Sequence, residues 1–223
     1  MGWPGPFVVR VSLADQPGRT AGSRPASLAI ALGANLASPA GPPLATLEAV
    51  RPFLVDVLGE LLVDLRAEVV APLPAQRCPG LHWSPLFRTA PVGGPPGQPD
   101  YLNAVVLVNP ALPPSERDAL ELLAALQALE QRFARQRCER WGPRSLDLDL
   151  LWWGELHCRS EALELPHPRL LERAFVLAPL AAIDAQLRPP GARATASDLL
   201  TQLRSANGEP APEQLRGHPG WPE

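Results

Sequence analysis

Between Leu146 and Leu150 leucine alternates with aspartate, in the order Leu146-Asp147-Leu148-Asp149-Leu150. A period of two is the pattern of a half-buried strand: the leucines face a core, and Asp147 and Asp149 face away from it. Side chains two apart on a strand stand roughly 6.5–7 Å apart on one face, so both carboxylates reach into one small volume. Hard cations such as Mg2+ favour that arrangement, with water and substrate phosphates completing the shell.

The complementary charge sits just upstream. Arg135, Arg137, Arg140 and Arg144 place four guanidiniums within ten residues, a density suited to bidentate phosphate contacts. Trp141 adds a flat ring able to stack on a base, and Gly142-Pro143 ends any helix and turns the chain into the strand. Each piece alone has a plainer reading, since an Asp-x-Asp strand is commonly a solvated face and an arginine run a soluble surface. Their ordered adjacency favours Mg-dependent chemistry on a nucleotide.

Arginine must carry the phosphate contacts, because all 20 basic residues are arginine and the chain has no lysine. Walker A and protein-kinase lysine chemistry are thereby excluded. The net charge of −3 argues against a general nucleic-acid binder, whose footprint is basic. At 223 residues and 46% hydrophobic, the chain suits one globular domain with ends to spare. Cys78, Cys138 and Cys158 are odd in number and lack a Cys-x-x-Cys pair. Neither a disulfide framework nor a zinc knuckle is indicated, and a reduced, cytoplasmic protein is expected. No run approaches the roughly 18 apolar residues of a membrane span. Residues 1–26, with Phe7-Val8-Val9 broken by Arg10, make a poor signal peptide and read as a disordered extension.

The run Arg-x-Arg-x-x-Arg-Trp-Gly-Pro-Arg-Ser-Leu-Asp-Leu-Asp-Leu, from Arg135 to Leu150, resembles the signature of the 6-hydroxymethyl-7,8-dihydropterin pyrophosphokinase family. The resemblance extends from about Leu28 to about Leu203. It implies transfer of the terminal diphosphate of ATP to a pterin alcohol, with two Mg2+ held by Asp147 and Asp149. It further implies Arg135 and Arg137 as catalytic arginines on a mobile loop. Around ATP it sets Gln127 and Glu130 near the base, and Arg137, Trp141, Arg144, His167 and Arg173 at the remaining nucleotide contacts. Around the pterin it sets Thr89, Val92, Tyr101, Asn103 and Phe175, with Tyr101 and Phe175 on opposite faces of the ring and Asn103 on its polar edge. Two positions depart from the family pattern. Ala34 replaces a serine in Gly33-Ala34-Asn35-Leu36. Ala134 stands where a glycine commonly precedes the first arginine, which predicts a longer helix and a stiffer hinge.

Taken in order, the chain predicts strands near 27–32, 82–89, 102–108 and 145–152. Leu44 to Leu65 has a helical pattern, with Pro52 kinking it or marking its start. Residues 66–85 read as an insertion rich in proline. Ser115 caps a helix in a variant capping box with Asp118, and Leu122, Leu126, Leu129 and Phe133 form its buried stripe. Leu180 to Leu187 finishes a packed helix, and Ser197 caps a small one over Ala196 to Leu203. Residues 205–223 have no periodicity and read as a disordered tail.

The expected fold is α+β, a ferredoxin-like plait of β-α-β-β-α-β order with a mainly antiparallel sheet. The domain spans 27–204, and a monomer acting on two small molecules, with no nucleic acid or membrane partner, is expected. Without the resemblance, two other classes stay open: another Mg-dependent nucleotide transferase, and a binding protein that keeps the fold without turnover.

Overall fold

β1 (Ala26–Ala34) has an antiparallel neighbour on each side, β4 (Tyr101–Ala111) on one and β5 (Asp147–Trp153) on the other. The computed structural model describes residues 26–68, 80–111, 114–135, 142–207, 210–218 and 221. β2 (Gly80–Trp83) and β3 (Leu86–Thr89) both pair with β4, and β8 (Glu213–Leu215) pairs with β3. The strand order β5-β1-β4-β3-β8 is antiparallel throughout, and β6 (Cys158–Arg159) and β7 (Glu164–Leu165) form a separate small ribbon. With α1 (Pro43–Glu68) after β1 and α2 (Glu116–Arg132) after β4, this is the ferredoxin-like plait.

Alternation along the strands splits the core in two. On one face Leu28, Ile30, Leu32, Val106, Leu148 and Leu150 pack under α1 and α2. On the other, Ala29, Ala31, Val105, Leu107, Leu151 and Trp152 meet α3 (Ala174–Ile183) and α4 (Ala196–Asn207). Asp147 and Asp149 belong to this second face. α3 begins only at Ala174, so one end of the face is left open above them.

Several expected boundaries move. The strand read as 82–89 is two strands, because Ser84-Pro85 interrupts it and proline has no N–H to give the ladder. α1 begins at Pro43 with Pro52 inside it, so Pro52 does not mark the start. The insertion read as 66–85 is shorter: residues 66–68 are helical and β2 begins at Gly80, while 69–79 and Cys78 lie outside the described residues. The capping box of α2 is present, with Ser115 Oγ accepting from Asp118 N–H and the Asp118 carboxylate accepting from Ser115 N–H. α3 ends at Ile183, short of Leu187. α4 is capped two residues earlier than read, by Thr195, whose Oγ1 accepts from Asp198 N–H at 3.1 Å. The tail is not a free end in its described part, since β8 adds to the sheet and Trp221 is buried. A three-residue strand and one anchoring ring need no periodicity, which is why a pattern reading passes over them. The extension before Ala26 lies outside the described residues.

Candidate active site

Three neighbouring strands bring Asn103, Gly33 and Asp147 side by side, because Gly33 of β1 is opposite Asn103 in β4 and opposite Asp147 in β5. A Cβ at Gly33 would lie 3.1 Å from Asn103 Oδ1, so glycine leaves the space that the asparagine amide occupies. Small residues along β1, Ala31 and Gly33, keep the floor low between the carboxylates and the ring-bearing side chains. The resulting cavity, about 100 Å³, is lined by Thr89, Val92, Tyr101, Asn103, Arg144, Asp147, Asp149, Arg173 and Phe175, all of them expected site residues.

On the side of Tyr101 and Phe175, Asn103 is buried, and its Nδ2 donates to Thr89 Oγ1 at 2.8 Å. That bond fixes the amide orientation. The Tyr101 hydroxyl donates to the Gly142 carbonyl at 3.2 Å, and burial raises its pKa, so it is a neutral phenol. Phe175 enters from the first turn of α3, and the Arg173 guanidinium lies 5.4 Å from its ring centroid.

On the charged side every carboxylate has an arginine. Arg144 Nη1 is 2.6 Å from Asp147 Oδ2, Arg135 Nη2 is 2.8 Å from Asp147 Oδ1, and Arg173 Nη1 is 3.1 Å from Asp149 Oδ2. Burial first, and then the charge of Asp149, still raise the Asp147 pKa against the pull of the two arginines. Asp147 Oδ1 is buried and has no aligned hydrogen bond, although the Arg135 guanidinium lies beside it. Two same-face carboxylates, one with an oxygen not committed to a hydrogen bond, fit a hard cation. Among the described residues no third histidine, cysteine, aspartate or glutamate joins them, and Mg2+ takes few carboxylates where phosphates complete its shell.

Arg135 is held from below by Glu130, whose Oε1 also accepts Leu148 N–H at 2.8 Å. Glu130 is buried, not the surface polar residue that its helical position alone allows, and burial raises its pKa. Gln127 is half-buried on α2 and does not line the cavity. His167 Nδ1 accepts from the Arg169 N–H at 3.1 Å, which leaves Nε2 as the protonated nitrogen of the neutral ring. Burial lowers the His167 pKa, which favours that neutral form. Arg137, Trp141 and Cys138 lie outside the described residues.

Three contributors were not singled out as site residues. Asn35 clamps the arginine segment: its Oδ1 accepts Arg144 N–H at 2.7 Å, its own N–H donates to the Arg144 carbonyl at 2.9 Å, and its Nδ2 donates to the Pro99 carbonyl at 3.0 Å. Arg169 and Glu172 line the cavity from the 3-10 turn Leu170–Glu172 and the residue before it. Asn35 in the Gly33-Ala34-Asn35-Leu36 run, just past the end of β1, was the available signal for the first. Nothing local marks the other two.

Paired carboxylates and converging arginines in one cavity with Tyr101 and Phe175, on an antiparallel plait, suit a class of enzyme that transfers phosphoryl groups. Residues 29–185 match the family model described as 7,8-dihydro-6-hydroxymethylpterin-pyrophosphokinase, and the chain belongs to that family. It is 38% identical over 151 residues to the 2-amino-4-hydroxy-6-hydroxymethyldihydropteridine pyrophosphokinase of Synechocystis sp., covering 66% of this chain and 71% of that one. It is 41% identical over 140 residues to the enzyme of the same name from Pseudomonas aeruginosa, covering 61% and 83%. Among solved structures, an HPPK-DHPS protein in complex with substrates superposes with a TM-score of 0.50 at 10% identity, over 82% of this chain and 44% of that one. That likeness concerns the fold, and the chain spans less than half of the longer protein.

Proposed function

We propose that this ATP-dependent diphosphokinase of folate biosynthesis holds Mg2+ on Asp147 and Asp149 and its pterin between Tyr101 and Phe175. Its reaction moves the diphosphate of ATP to the hydroxymethyl group of 6-hydroxymethyl-7,8-dihydropterin and releases AMP. One observation carries the assignment: a single cavity is lined both by the two carboxylates and by Tyr101, Asn103 and Phe175.

In this reading the Asn103 amide, oriented by Thr89, pairs with the polar edge of the pterin, and Val92 covers its side. The substrate hydroxymethyl oxygen then faces the β-phosphorus, and catalysis is positioning and charge neutralisation, with no covalent nucleophile. Mg2+ held by Asp147 and Asp149 would supply Lewis-acid stabilisation of the charge on the phosphate oxygens, with two ions expected. Arg144, Arg173 and Arg135, which neutralise the carboxylates in the free protein, turn to the phosphates when nucleotide arrives. Arg137 and His167 add to that cationic surround, Trp141 seals it, and Gln127 and Glu130 lie on the side of the base. The enzyme acts in the cytoplasm as a monomer. Among the described residues no helix is long and apolar enough to cross a membrane.

The test is AMP release from ATP, Mg2+ and the pterin alcohol, run beside a titration of the pterin alone. Turnover dependent on both the pterin and Mg2+ is expected. ATP consumption that proceeds equally without pterin would reject the assignment of the ring pocket.

A further inference from the structure

We infer that the C-terminal segment, through β8 and Trp221, is a positioning element for the pterin side of the site, an inference that rests on the pterin reading above. The segment lies well beyond residue 185, where the family match ends. β3 is only four residues long, and it carries Thr89, the partner of Asn103, at its end. β8 covers the edge of β3 with Leu215 opposite Leu86, Gln214 opposite Phe87 and Glu213 opposite Arg88. The last of these pairs is immediately before Thr89. A strand that would otherwise be an edge is thereby paired on both sides.

The other end of β3 is fixed by Trp221. Its indole is buried, stands edge-on to Trp83 at 5.7 Å, and donates Nε1–H to the Ser84 carbonyl at 2.8 Å. Ser84 is the break between β2 and β3, and it is tied to β4 by the Val105 N–H, which donates to its Oγ at 2.9 Å. The Arg51 guanidinium, 5.1 Å from the Trp221 ring centroid and 5.0 Å from that of Trp83, joins this cluster to α1. Trp221 therefore sets where β3 starts, and β8 sets how it runs to Thr89.

A second consequence reaches the loop beyond Thr89. Pro210 to Glu213 line a second cavity of about 390 Å³ together with Thr89, Pro91, Val92 and Phe175, residues that also line the first cavity. The tail and the proposed pterin side therefore border the same residues. Asp147, Asp149, Arg144 and Arg173 do not line this second cavity, so loss of the tail should be felt more by the pterin than by the nucleotide.

The test measures dissociation constants of the pterin alcohol and of MgATP for the full chain, for Trp221→Phe and for a chain ending at Asn207. Ending at Asn207 should weaken pterin binding about tenfold, the effect of one misplaced neutral hydrogen bond, with MgATP affinity unchanged within about twofold. Trp221→Phe keeps an aromatic side chain but loses the indole N–H bond to Ser84 and part of the ring packing, and should show the same split at roughly threefold. If the shortened chain does not fold, the split in Trp221→Phe decides alone. Equal weakening of both ligands, or unchanged pterin binding in Trp221→Phe and in a folded shortened chain, would overturn the inference. A full chain that binds no pterin would instead overturn the reading of the pocket.

Discussion

The Glu130 carboxylate accepts the backbone N–H of Leu148 at 2.8 Å, the residue between Asp147 and Asp149. A buried side chain of α2 therefore sets the height of β5 where both proposed metal ligands stand, and the same carboxylate holds Arg135. Glu130→Ala leaves a buried N–H without its acceptor and should cost about 1–3 kcal/mol of stability. Glu130→Gln keeps an acceptor for Leu148 and should fold nearly as well. The pH dependence separates the two effects. With a raised folded pKa, the Glu130 contribution is full below the ordinary carboxylate range and is lost as pH rises through the raised value. Denaturant midpoints of Glu130→Gln should therefore gain on the parent as pH rises through that window; parallel curves would contradict the assignment.

Ala134 has φ of 59°, in the left-handed region that costs an L-residue roughly 1 kcal/mol or more. The helix does not run on past Phe133 as an alanine there predicts. Phe133 caps it, and the Arg135 N–H donates back to the Glu130 carbonyl at 3.0 Å. Ala134→Gly should accordingly raise stability by about 0.5–1 kcal/mol, the reverse of the usual entropic cost of glycine. Urea midpoints check it, and a glycine variant less stable than the parent would mean that the turn relaxes in solution.

How much of this was legible depends on range. The alternation of Leu146 to Leu150 and the Leu122, Leu126, Leu129, Phe133 stripe are local patterns, and both elements form as they require. The grouping of Tyr101, Asn103, Arg144, Asp147, Arg173 and Phe175 came from family resemblance and lies in one cavity. What escaped is nonlocal. Ala134 has the highest helix propensity of any residue, yet the chain turns there because Arg135 has partners at Glu130 and Asp147. Trp221 reads as one aromatic in a polar tail, and its value lies in Ser84, far away in sequence.

The two aspartates differ in what their loss does to the fold. Removing either should lower diphosphate transfer by several kcal/mol of transition-state stabilisation, about a thousandfold or more. Asp147 also neutralises Arg135 and Arg144, whereas among the described residues Asp149 pairs with Arg173 alone. Asp147→Ala takes an ion-pair partner from both Arg144 and Arg135, leaving Arg135 with Glu130, and should lower the unfolding midpoint more than Asp149→Ala does. Calorimetric scans beside AMP-release rates test both halves. Normal turnover in either variant would remove it from the metal site.

His167 offers a test that separates charge from geometry. Its backbone N–H is fixed on the Leu151 carbonyl at 2.7 Å, and its Nδ1 accepts from Arg169, so the ring is oriented with Nε2–H as its free donor. Burial disfavours the imidazolium, and the neighbouring Asp149 only partly restores it. For a histidine whose folded pKa is lowered, stability is full above the unfolded value of about 6.5 and is lost as pH falls towards the folded value. His167→Asn places an amide oxygen where Nδ1 stood, keeps an acceptor for Arg169, and removes both Nε2–H and the titration. The variant should match the parent near neutral pH and lose less stability at about pH 5.5, where the unfolded parent is mostly protonated. Its MgATP affinity should fall several-fold, by the worth of one hydrogen bond to a charged phosphate oxygen, with pterin affinity retained. Urea midpoints at the two pH values and calorimetric titrations of each ligand measure these effects. An unchanged MgATP affinity would make His167 a structural residue of the turn, whatever the pH profile shows.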